Sequence, residues 1–370
     1  MKELSEELII KHSKRKSIID KITGFFFLFV ALICACIIVF TIVFIIVKGI
    51  SAFTNTYIDS NGNPYKQSFW GFISGMSYTV TNYGALFLLI NTIYIVFLSS
   101  IISIPVSILT AIFIVRIAPK SIGAIFQTGI EMLASIPSVI FGLFGMGVIC
   151  PFVNDIATSF GLQTSGGLSV LSGAIVLALM SIPTITLITI TSIKSVSNSY
   201  IQGSLALGAT NSETNFRVVL KGAISGIISG IILGLGRALG EATAVSLVIG
   251  NSFAGPNFNP FGIGSTLTST MMQGIGESVG LNYDIRFSLG ILLMFVIVLV
   301  NLILNYVKNK ITNPYKKSGV LLTFCKNGVI YIKAYFNKSK DNKDEILDKD
   351  KEENNISKIE NKEDRKDENR

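Results

Sequence analysis

Long apolar runs alternate with short polar segments along most of this chain, and each run is long enough to cross a bilayer as a helix. The first, at residues 22–47, contains no charged residue and would span roughly 39 Å at about 1.5 Å per helical residue. Similar runs recur as far as residue 307. The pattern predicts six transmembrane helices, at residues 22–47, 86–114, 122–150, 170–190, 222–250 and 287–307.

A cleaved signal peptide is the competing interpretation of the first run. Signal peptides have apolar cores of roughly 7–15 residues, and the run at 22–47 is much longer. We therefore interpret it as an uncleaved membrane anchor.

Lysine and arginine are concentrated in every second polar segment. They occur within residues 1–21, between the second and third runs, within 194–221 and after residue 307, whereas the other segments hold almost none. Positively charged loops stay on the cytoplasmic side of a membrane. Both termini are therefore predicted to face the cytoplasm, in a multi-pass protein of the cytoplasmic (inner) membrane.

Composition supports a membrane protein and argues against a soluble one. Half of the residues are hydrophobic, 15% are charged and the mean hydropathy is +0.60. The formal net charge of +8 comes from basic residues in short segments between apolar runs. This placement favours contact with anionic membrane lipid, and we expect no nucleic-acid partner.

The polar segments divide the chain into parts with different expected roles. Residues 1–21 are predicted to form a cytoplasmic N-terminus, 48–84 an extracytoplasmic segment with turn residues, and 85–310 the main transmembrane domain. The basic segment 311–336 is expected on the inner membrane surface. Residues 337–370 consist largely of Lys, Asp, Glu and Asn, which is the composition of a disordered tail.

Metal, cofactor and catalytic chemistry find no support in the sequence. Cys34, Cys36, Cys150 and Cys325 are too scattered for a disulfide framework, and His12 has no second ligand near it. No Walker loop and no nucleophile–base pair occurs. We expect a protein without cofactor or metal that is not itself an enzyme.

Two charged residues stand inside the fifth predicted helix. A charge at the centre of a membrane helix costs roughly 2.5–3.5 kcal/mol on insertion scales, so such residues need a role. Arg237 and Glu241 are four residues apart, close enough to pair on one helix face. Two hypotheses stay open: a substrate or gating site in a transport path, or a buried ion pair that only fixes helix register.

The same helix carries glycine at every fourth position, at Gly222, Gly226, Gly230 and Gly234. This spacing lets a neighbouring helix backbone approach closely. At about 100° per residue, the glycines and the two charges fall on one face of the helix. That face is therefore expected to meet protein or an aqueous path instead of lipid.

Pro137 interrupts the third predicted helix. Proline removes a backbone hydrogen-bond donor, and Gly142, Gly145 and Gly147 follow, so the backbone can bend or pack closely there. Broken helices often line transport paths, which makes Pro137 and Ser138 candidate residues of the path. A kink that only shapes packing is the alternative.

The segment 194–221, between the fourth and fifth helices, is rich in small residues. Its spacing resembles the cytoplasmic coupling loop of ABC importer permeases, where Glu-Ala-Ala, three residues, Gly, nine residues, Ile, one residue and Leu-Pro follow in order. Gly208 matches the glycine, Val218 the isoleucine and Leu220 the leucine. The candidate contact residues for an ATPase are Gln202, Gly203, Ser204, Gly208, Ala209 and Thr210.

This segment also departs from the pattern. Residues 202–204 are Gln-Gly-Ser where Glu-Ala-Ala is usual, and Lys221 replaces the proline. The loss of the acidic residue is expected to weaken one docking contact. Taken alone, the stretch is equally typical of an ordinary loop between helices.

Three strings resemble more specifically the PstC family of phosphate permease subunits. They are Ala-Pro-Lys at 118–120, Glu-Met-Leu-Ala-Ser-Ile-Pro-Ser-Val at 131–139 and Arg-Ala-Leu-Gly-Glu at 237–241. The related PstA family usually continues Thr-Ala-Pro after the glutamate, whereas this chain continues Ala-Thr-Ala-Val. The resemblance covers roughly residues 85–307, and departs from the family at Ala242 and at Asn91-Thr92.

The resemblance implies an all-α, type I ABC permease fold with six transmembrane helices, in which one extra helix precedes a five-helix core. It implies a phosphate importer in which this chain forms half of the path. Its partners would be a PstA-like sister permease, two copies of a cytoplasmic ATPase and an extracytoplasmic phosphate-binding protein. A permease for another oxyanion or small solute, and a membrane sensor or scaffold that binds the ATPase, are the alternatives.

Overall fold

The computed structural model describes residues 2–58, 64–79 and 82–312, without the side chains of residues 2–21 and 82. In these ranges the chain is mainly helical. The helices are α1 (Lys2–Thr54), α2 (Phe69–Ser74), α3 (Leu86–Ile112), α4 (Lys120–Ser135), α5 (Ser138–Phe144), α6 (Cys150–Ser159), α7 (Val170–Lys194), α8 (Asn198–Ala206), α9 (Asn211–Glu213), α10 (Leu220–Gly240), α11 (Thr243–Val248), α12 (Leu267–Met272) and α13 (Leu281–Thr312).

Six helical stretches of the described chain are long and apolar enough to cross a membrane, which confirms the predicted number of spans. The fold is therefore that of an all-α, multi-pass membrane protein. The stretches are Ile22–Thr54, Leu86–Ile117, Ser138–Ser159, Val170–Lys194, Asn211–Gly240 and Leu281–Thr312.

The third span differs from the predicted 122–150. Ile136 is extended, with φ −68° and ψ 129°, because the residue before a proline is disfavoured in the helical region. Pro137 caps a new helix, so α4 is a separate element and the span runs from α5 to α6. The interruption expected at Pro137 is a complete break and not a bend.

The fifth span also differs from the predicted 222–250. Helix α10 ends at Gly240, Glu241 is extended with φ −75° and ψ 121°, and the short helix α11 follows. The apolar pattern of residues 243–250 therefore belongs to a second helical element behind a break.

π-helical turns extend or join several of these helices, at Phe113–Ile117, Gly145–Ile149 and Thr214–Val219. The first lengthens α3, the second joins α5 to α6, and the third joins α9 to α10. π turns are rare and occur frequently at functional sites. The third lies in the first part of the span that carries Arg237.

The segment after α1 contains short hairpins in addition to α2. Strand β1 (Tyr57–Ile58) pairs antiparallel with β2 (Pro64–Tyr65), and β3 (Tyr78–Thr79) pairs with β4 (Asn82–Tyr83). Each strand has two residues, so the all-α class is unchanged. We call the described residues between 55 and 85 the cap.

The cap packs on one end of the bundle. Phe72 and Tyr83 of the cap are buried in one hydrophobic cluster with Phe87 of α3, Leu267 of α12 and Ile285 of α13. This shared core fixes the cap to three helices at once.

Helix α7 is the central helix of the bundle, and 67% of its most apolar window is buried. The first helix is the opposite case, because 0% of its window is buried, which leaves its apolar side chains to face lipid. The C-terminal end of α1 nevertheless packs on α13. There Ser288 Oγ donates to Gly49 O at 2.7 Å, and Lys48 Nζ lies 3.8 Å from a carboxylate oxygen of Asp284.

Several predictions concern parts of the chain that the structure does not describe. The side chain of His12, the segment 311–336 from residue 313 onward and the tail 337–370 lie outside the described residues.

Candidate functional site

Arg237 lies near the end of α10, half-buried, and reaches the central helix α7. Its Nη1 donates a hydrogen bond to Thr184 Oγ1 at 3.1 Å. A guanidinium has five N–H donors, and the described residues engage one of them. No carboxylate of the described chain lies within 4.0 Å of Arg237, since the ion pair found at that distance is Lys48–Asp284.

The expected ion pair between Arg237 and Glu241 is not formed, and the reason is the end of the helix. Because Glu241 is extended, the spacing that would place the two side chains on one helix face is lost. Glu241 Oε1 instead accepts hydrogen bonds from Thr243 Oγ1 at 2.7 Å and from Ala244 N at 3.2 Å. The prediction of a helical pair is therefore wrong: the carboxylate stabilises the first turn of α11.

Ser138 is joined to Glu241 through Thr243. The Ser138 and Thr243 hydroxyl oxygens are 2.8 Å apart. The Thr243 hydroxyl donates its hydrogen bond to the Glu241 carboxylate, so Ser138 is the donor in the contact with Thr243. The structure thus connects the break of the third span to the break of the fifth.

Helix α12 holds the same break from another side. Thr268 Oγ1 donates to the backbone oxygen of Glu241 at 2.7 Å. Three separate elements, α5, α11 and α12, therefore meet at Glu241.

Three of the four glycines of α10 face the central helix α7, and Gly222 faces Val196 just beyond the end of that helix. A Cβ at Gly222 would lie 3.2 Å from Val196, one at Gly230 would lie 3.2 Å from Ile188, and one at Gly234 would lie 2.5 Å from Ile185. A Cβ at Gly226 would overlap Ser192. The absence of side chains at these positions is what permits the close approach of the two helices.

Segment 194–221 folds as a short helix and a turn at one end of the bundle. Ile201 anchors α8 in a hydrophobic cluster, while Gln202 and Gly203 are exposed. Gly208 has φ +86°, a left-handed conformation that favours glycine. Thr210 then begins α9 with a capping box to Glu213.

The exposed surface of this segment has an apolar tip. Leu207 is 91% exposed, directly before Gly208. Ser204 and Ala209 are half-buried, and the Ser204 hydroxyl lies 2.9 Å from that of Thr214. Arg116 Nε donates to the side chain of Asn215 at 2.9 Å, which ties the segment to the end of the second span.

Sequence reasoning missed residues whose roles depend on contacts distant in sequence. Thr184 and Thr243 are ordinary residues in apolar runs until the fold places them beside Arg237 and Glu241. Leu207 offered a signal, as an apolar residue inside a polar loop. Arg286 was also missed, because the sixth span was predicted to begin at 287 and begins at Leu281.

The described residues contain no group of three or more His, Cys, Asp or Glu side chains able to hold a metal ion. The arrangement around Arg237 and Glu241 consists of charges, hydroxyls and a broken backbone. Such a site can bind a polar solute and couple it to helix movement.

Comparisons with known proteins agree with this architecture. A family model described as binding-protein-dependent transport system inner membrane component matches residues 103–313, more than half of the chain. The probable ABC transporter permease protein YqgH of Bacillus subtilis (strain 168) is 31% identical over 271 residues, which cover 72% of this chain and 82% of that protein.

Two phosphate transport system permease proteins PstC are also similar. The protein from Pasteurella multocida (strain Pm70) is 31% identical over 255 residues, 64% of this chain and 75% of that protein. The protein from Xylella fastidiosa (strain 9a5c) is 32% identical over 184 residues, 46% of this chain and 57% of that protein. This chain thus spans little more than half of the Xylella protein.

Two solved structures resemble part of the fold. An inward-facing MetNI methionine ABC transporter aligns at 19% identity over 62% of this chain and 94% of that chain, with a TM-score of 0.45. A bacterial alginate ABC transporter aligns at 18% identity over 62% of this chain and 79% of that chain, with a TM-score of 0.47.

The described chain has six spans, and the family match begins inside the second span and runs to the end of the sixth. Both observations lead to one assignment. ATP hydrolysis in such systems is performed by separate subunits, so this chain is not itself the enzyme. The chain belongs to the binding-protein-dependent transport system inner membrane component family, the permease subunits of ABC importers.

Proposed function

We propose that this chain is a permease subunit of an ATP-driven phosphate importer. In this role it forms half of the translocation path and receives the movement of a cytoplasmic ATPase through residues 194–221. The likeness to proteins named as phosphate transport permeases supports the choice of substrate.

The uncompensated charge of Arg237 carries the proposal. A guanidinium stays protonated at any workable pH. Here it is half-buried inside a membrane bundle, and its contact within the described chain is the neutral hydroxyl of Thr184. A phosphate oxyanion supplies the missing negative charge and matches the planar fork of donors.

Glu241 supports this assignment because its carboxylate is engaged elsewhere. Thr243 and Ala244 hold it at the start of α11. An arriving anion therefore meets a guanidinium from which no carboxylate has to be displaced. Ser138 and Thr243 link this position to the break at Pro137, so both broken spans contribute to the path.

Residues 194–221 suit the coupling role. Helix α8 exposes Gln202 and Gly203, and the exposed Leu207 presents an apolar contact at the tip. A small, protruding helix of this kind fits a groove on a soluble partner. The anchors at Ile201 and Arg116 carry force from this helix into the bundle.

The complete importer in this proposal contains a PstA-like sister permease, two ATPase copies and an extracytoplasmic phosphate-binding protein. Both termini face the cytoplasm, 48–84 lies outside the membrane on the opposite side, and 85–310 forms the permease domain. Loops rich in Lys and Arg at the end that carries residues 194–221 support this orientation.

Reconstitution of the chain with these partners in proteoliposomes tests the proposal. We expect ATP-dependent uptake of radiolabelled phosphate, with competition by unlabelled phosphate and by arsenate, which has the same shape and charge, and little competition by sulfate. Uptake of another solute that phosphate does not inhibit would contradict the substrate and leave the family assignment intact. An assembled complex that binds the ATPase and transports nothing would favour a sensor or scaffold.

A further inference from the structure

A buried arginine in the last span lines a cavity that the proposed function does not use. The cavity has a volume of about 450 Å³, in the range of small-molecule sites. Its walls come from the cap, from the segment after α11, from α12 and from α13, and include Tyr78, Tyr83, Phe253, Gln273, Asn282 and Arg286.

The cavity lies at the end of the bundle away from residues 194–221. Helix α10 starts beside that segment and covers roughly 31 Å over its 21 residues, at about 1.5 Å per residue, before it ends at Gly240. Thr268 of α12 holds the next residue, Glu241. The C-terminal end of α12 contacts Arg286, so the cavity lies beyond the break of the fifth span.

Arg286 is 7% exposed, yet neutral groups satisfy its hydrogen bonds. Nη1 donates to Thr270 O at 2.8 Å, to Met271 O at 3.2 Å and to Gln273 O, while Nε donates to Asn282 O at 3.2 Å. The contact of Nη2 with Asn282 Oδ1 is long, at 3.4 Å. The carbonyls position the guanidinium without cancelling its charge.

The nearest acidic residue in sequence, Asp284, is turned to other partners. Its Oδ2 accepts from the Tyr57 hydroxyl at 2.7 Å, and its Oδ1 lies 3.8 Å from Lys48 Nζ. Asp284 thus serves the contact between α1, the cap and α13. No carboxylate of the described ranges lies within 4.0 Å of Arg286.

Tyr78 is an independent sign of a missing ligand. Its side chain is 7% exposed and lines the cavity, and its hydroxyl has no hydrogen-bond partner among the residues that the structure describes. Burial raises the pKa of this phenol, while the charge of Arg286 acts in the opposite direction on both Tyr78 and Tyr83. The phenol remains a donor at neutral pH, and the positive potential of Arg286 extends to both rings.

We propose that this cavity is a binding site for a small oxyanion, with Arg286 and Tyr78 as donors. An uncancelled cation and an unused donor beside aromatic walls of low dielectric favour a compact anion over a neutral solute. The site precedes Arg237 on a path from the cap end of the bundle. The order of the two sites along the path rests on the proposed function, whereas anion binding in the cavity does not.

Isothermal titration calorimetry on the purified full-length chain, in maltoside detergent free of phosphate, tests the site with inorganic phosphate and with sulfate. All variants are built on Arg237→Gln, so that the measured binding does not come from the fifth span. We expect saturable phosphate binding in this background, weakened about tenfold or more by Arg286→Gln and about three- to tenfold by Tyr78→Phe.

Arg116→Gln is the matched control, because Arg116 lies at the other end of the bundle and contacts Asn215. Its binding should equal that of the background. Tyr78→Phe keeps the carbonyl contacts of Arg286, so it tests the site even where Arg286→Gln fails to fold. Binding by the folded background that neither substitution at the cavity weakens, or no binding of either anion, overturns the proposal.

A lipid headgroup is the other source of phosphate chemistry. Retention of a phospholipid that Arg286→Gln loses, in a background that binds no free phosphate, overturns the free-anion site in favour of a lipid site. Phosphate or sulfate binding here, in a complex that imports an unrelated solute, would support this site and contradict the proposed function.

Discussion

Replacing Arg237 with glutamine removes the uncompensated charge of the fifth span and keeps a polar side chain. The structure predicts opposite results for stability and for transport, which makes the substitution informative. Arg237 contacts Thr184 through one hydrogen bond of 3.1 Å and has no carboxylate within 4.0 Å in the described chain.

The stability terms nearly cancel. The lost hydrogen bond contributes about 0.5–1.5 kcal/mol, while removal of a charge from a span relieves up to about 2.5–3.5 kcal/mol at a helix centre and less at a helix end. Arg237 lies near the end of α10 and is half-buried. We therefore expect the melting temperature of Arg237→Gln to stay equal to or above that of the unmodified chain.

The effects of the substitution on transport do not offset each other. In the proposed site a bound oxyanion accepts two charge-assisted hydrogen bonds from the planar guanidinium of Arg237. The substitution to glutamine removes both, and each contributes about 1.5–3 kcal/mol to the binding free energy. The loss of both gives at least about 3 kcal/mol, or about 100-fold in the catalytic efficiency of uptake. Arg237→Lys keeps the charge and loses the fork, so an intermediate decrease is expected.

Phosphate uptake by reconstituted proteoliposomes, at equal amounts of assembled complex, measures these effects. Thr184→Val is the matched control, since it removes the internal acceptor and leaves the guanidinium in place. Its uptake should fall less than tenfold. Uptake by Arg237→Gln within a few-fold of the unmodified importer would refute the role of Arg237 in substrate binding.

A charge-swapped variant separates the two original hypotheses. An ion pair that only fixes helix register works in either order, so Arg237→Glu combined with Glu241→Arg would preserve transport. In the structure the Glu241 carboxylate accepts hydrogen bonds from Thr243 and Ala244. An arginine at this position has no acceptor atom for them. We expect the swapped variant to be inactive, and near-normal uptake would restore the ion-pair hypothesis.

Three further predictions follow from the packing and the surface. Gly226→Ala should lower the melting temperature by the equivalent of about 1–3 kcal/mol because the new Cβ overlaps Ser192, whereas Gly129→Ala, which meets open space, should not lower it. Leu207→Glu should abolish copurification of the ATPase while the chain still inserts, and unchanged copurification would remove the loop tip from the interface. Burial, and next the hydrogen bond to a carboxylate, raise the pKa of Tyr57 from 10.0 to about 12, so its stabilising contact is complete below pH 10 and lost toward pH 12; melting temperatures of Tyr57→Phe should vary less over that window.

The sequence determined the class of fold because length and apolarity are local properties. An apolar run that crosses a bilayer forms helix over most of its length, since backbone groups in lipid have no other partners. Six runs therefore gave six spans, and the proline at 137 marked a true interruption. The family resemblance rested on short sequence strings. In the structure these strings coincide with local features: α8, the capped turn at Thr210, and the breaks at Pro137 and Glu241.

Where the helices end was decided by tertiary contacts. Residues 222–250 carry no charge apart from Arg237 and Glu241 and are mostly apolar, so their pattern gives no reason to stop a helix at Gly240. The break is stable because Glu241 accepts hydrogen bonds from Thr243, Ala244 and Thr268. Thr268 belongs to α12 and lies 27 residues further along the chain.

The partners of each charge were likewise outside the reach of sequence. Spacing alone favoured a pair between Arg237 and Glu241, since residues four apart are neighbours on an unbroken helix. Folding separates the two and places Thr184 beside one of them. It also brings Tyr78 of the cap to the same cavity as Arg286 of the last span. Sequence fixes which residues carry charge, but only packing between distant helices decides which charges are neutralised and which are left for a ligand.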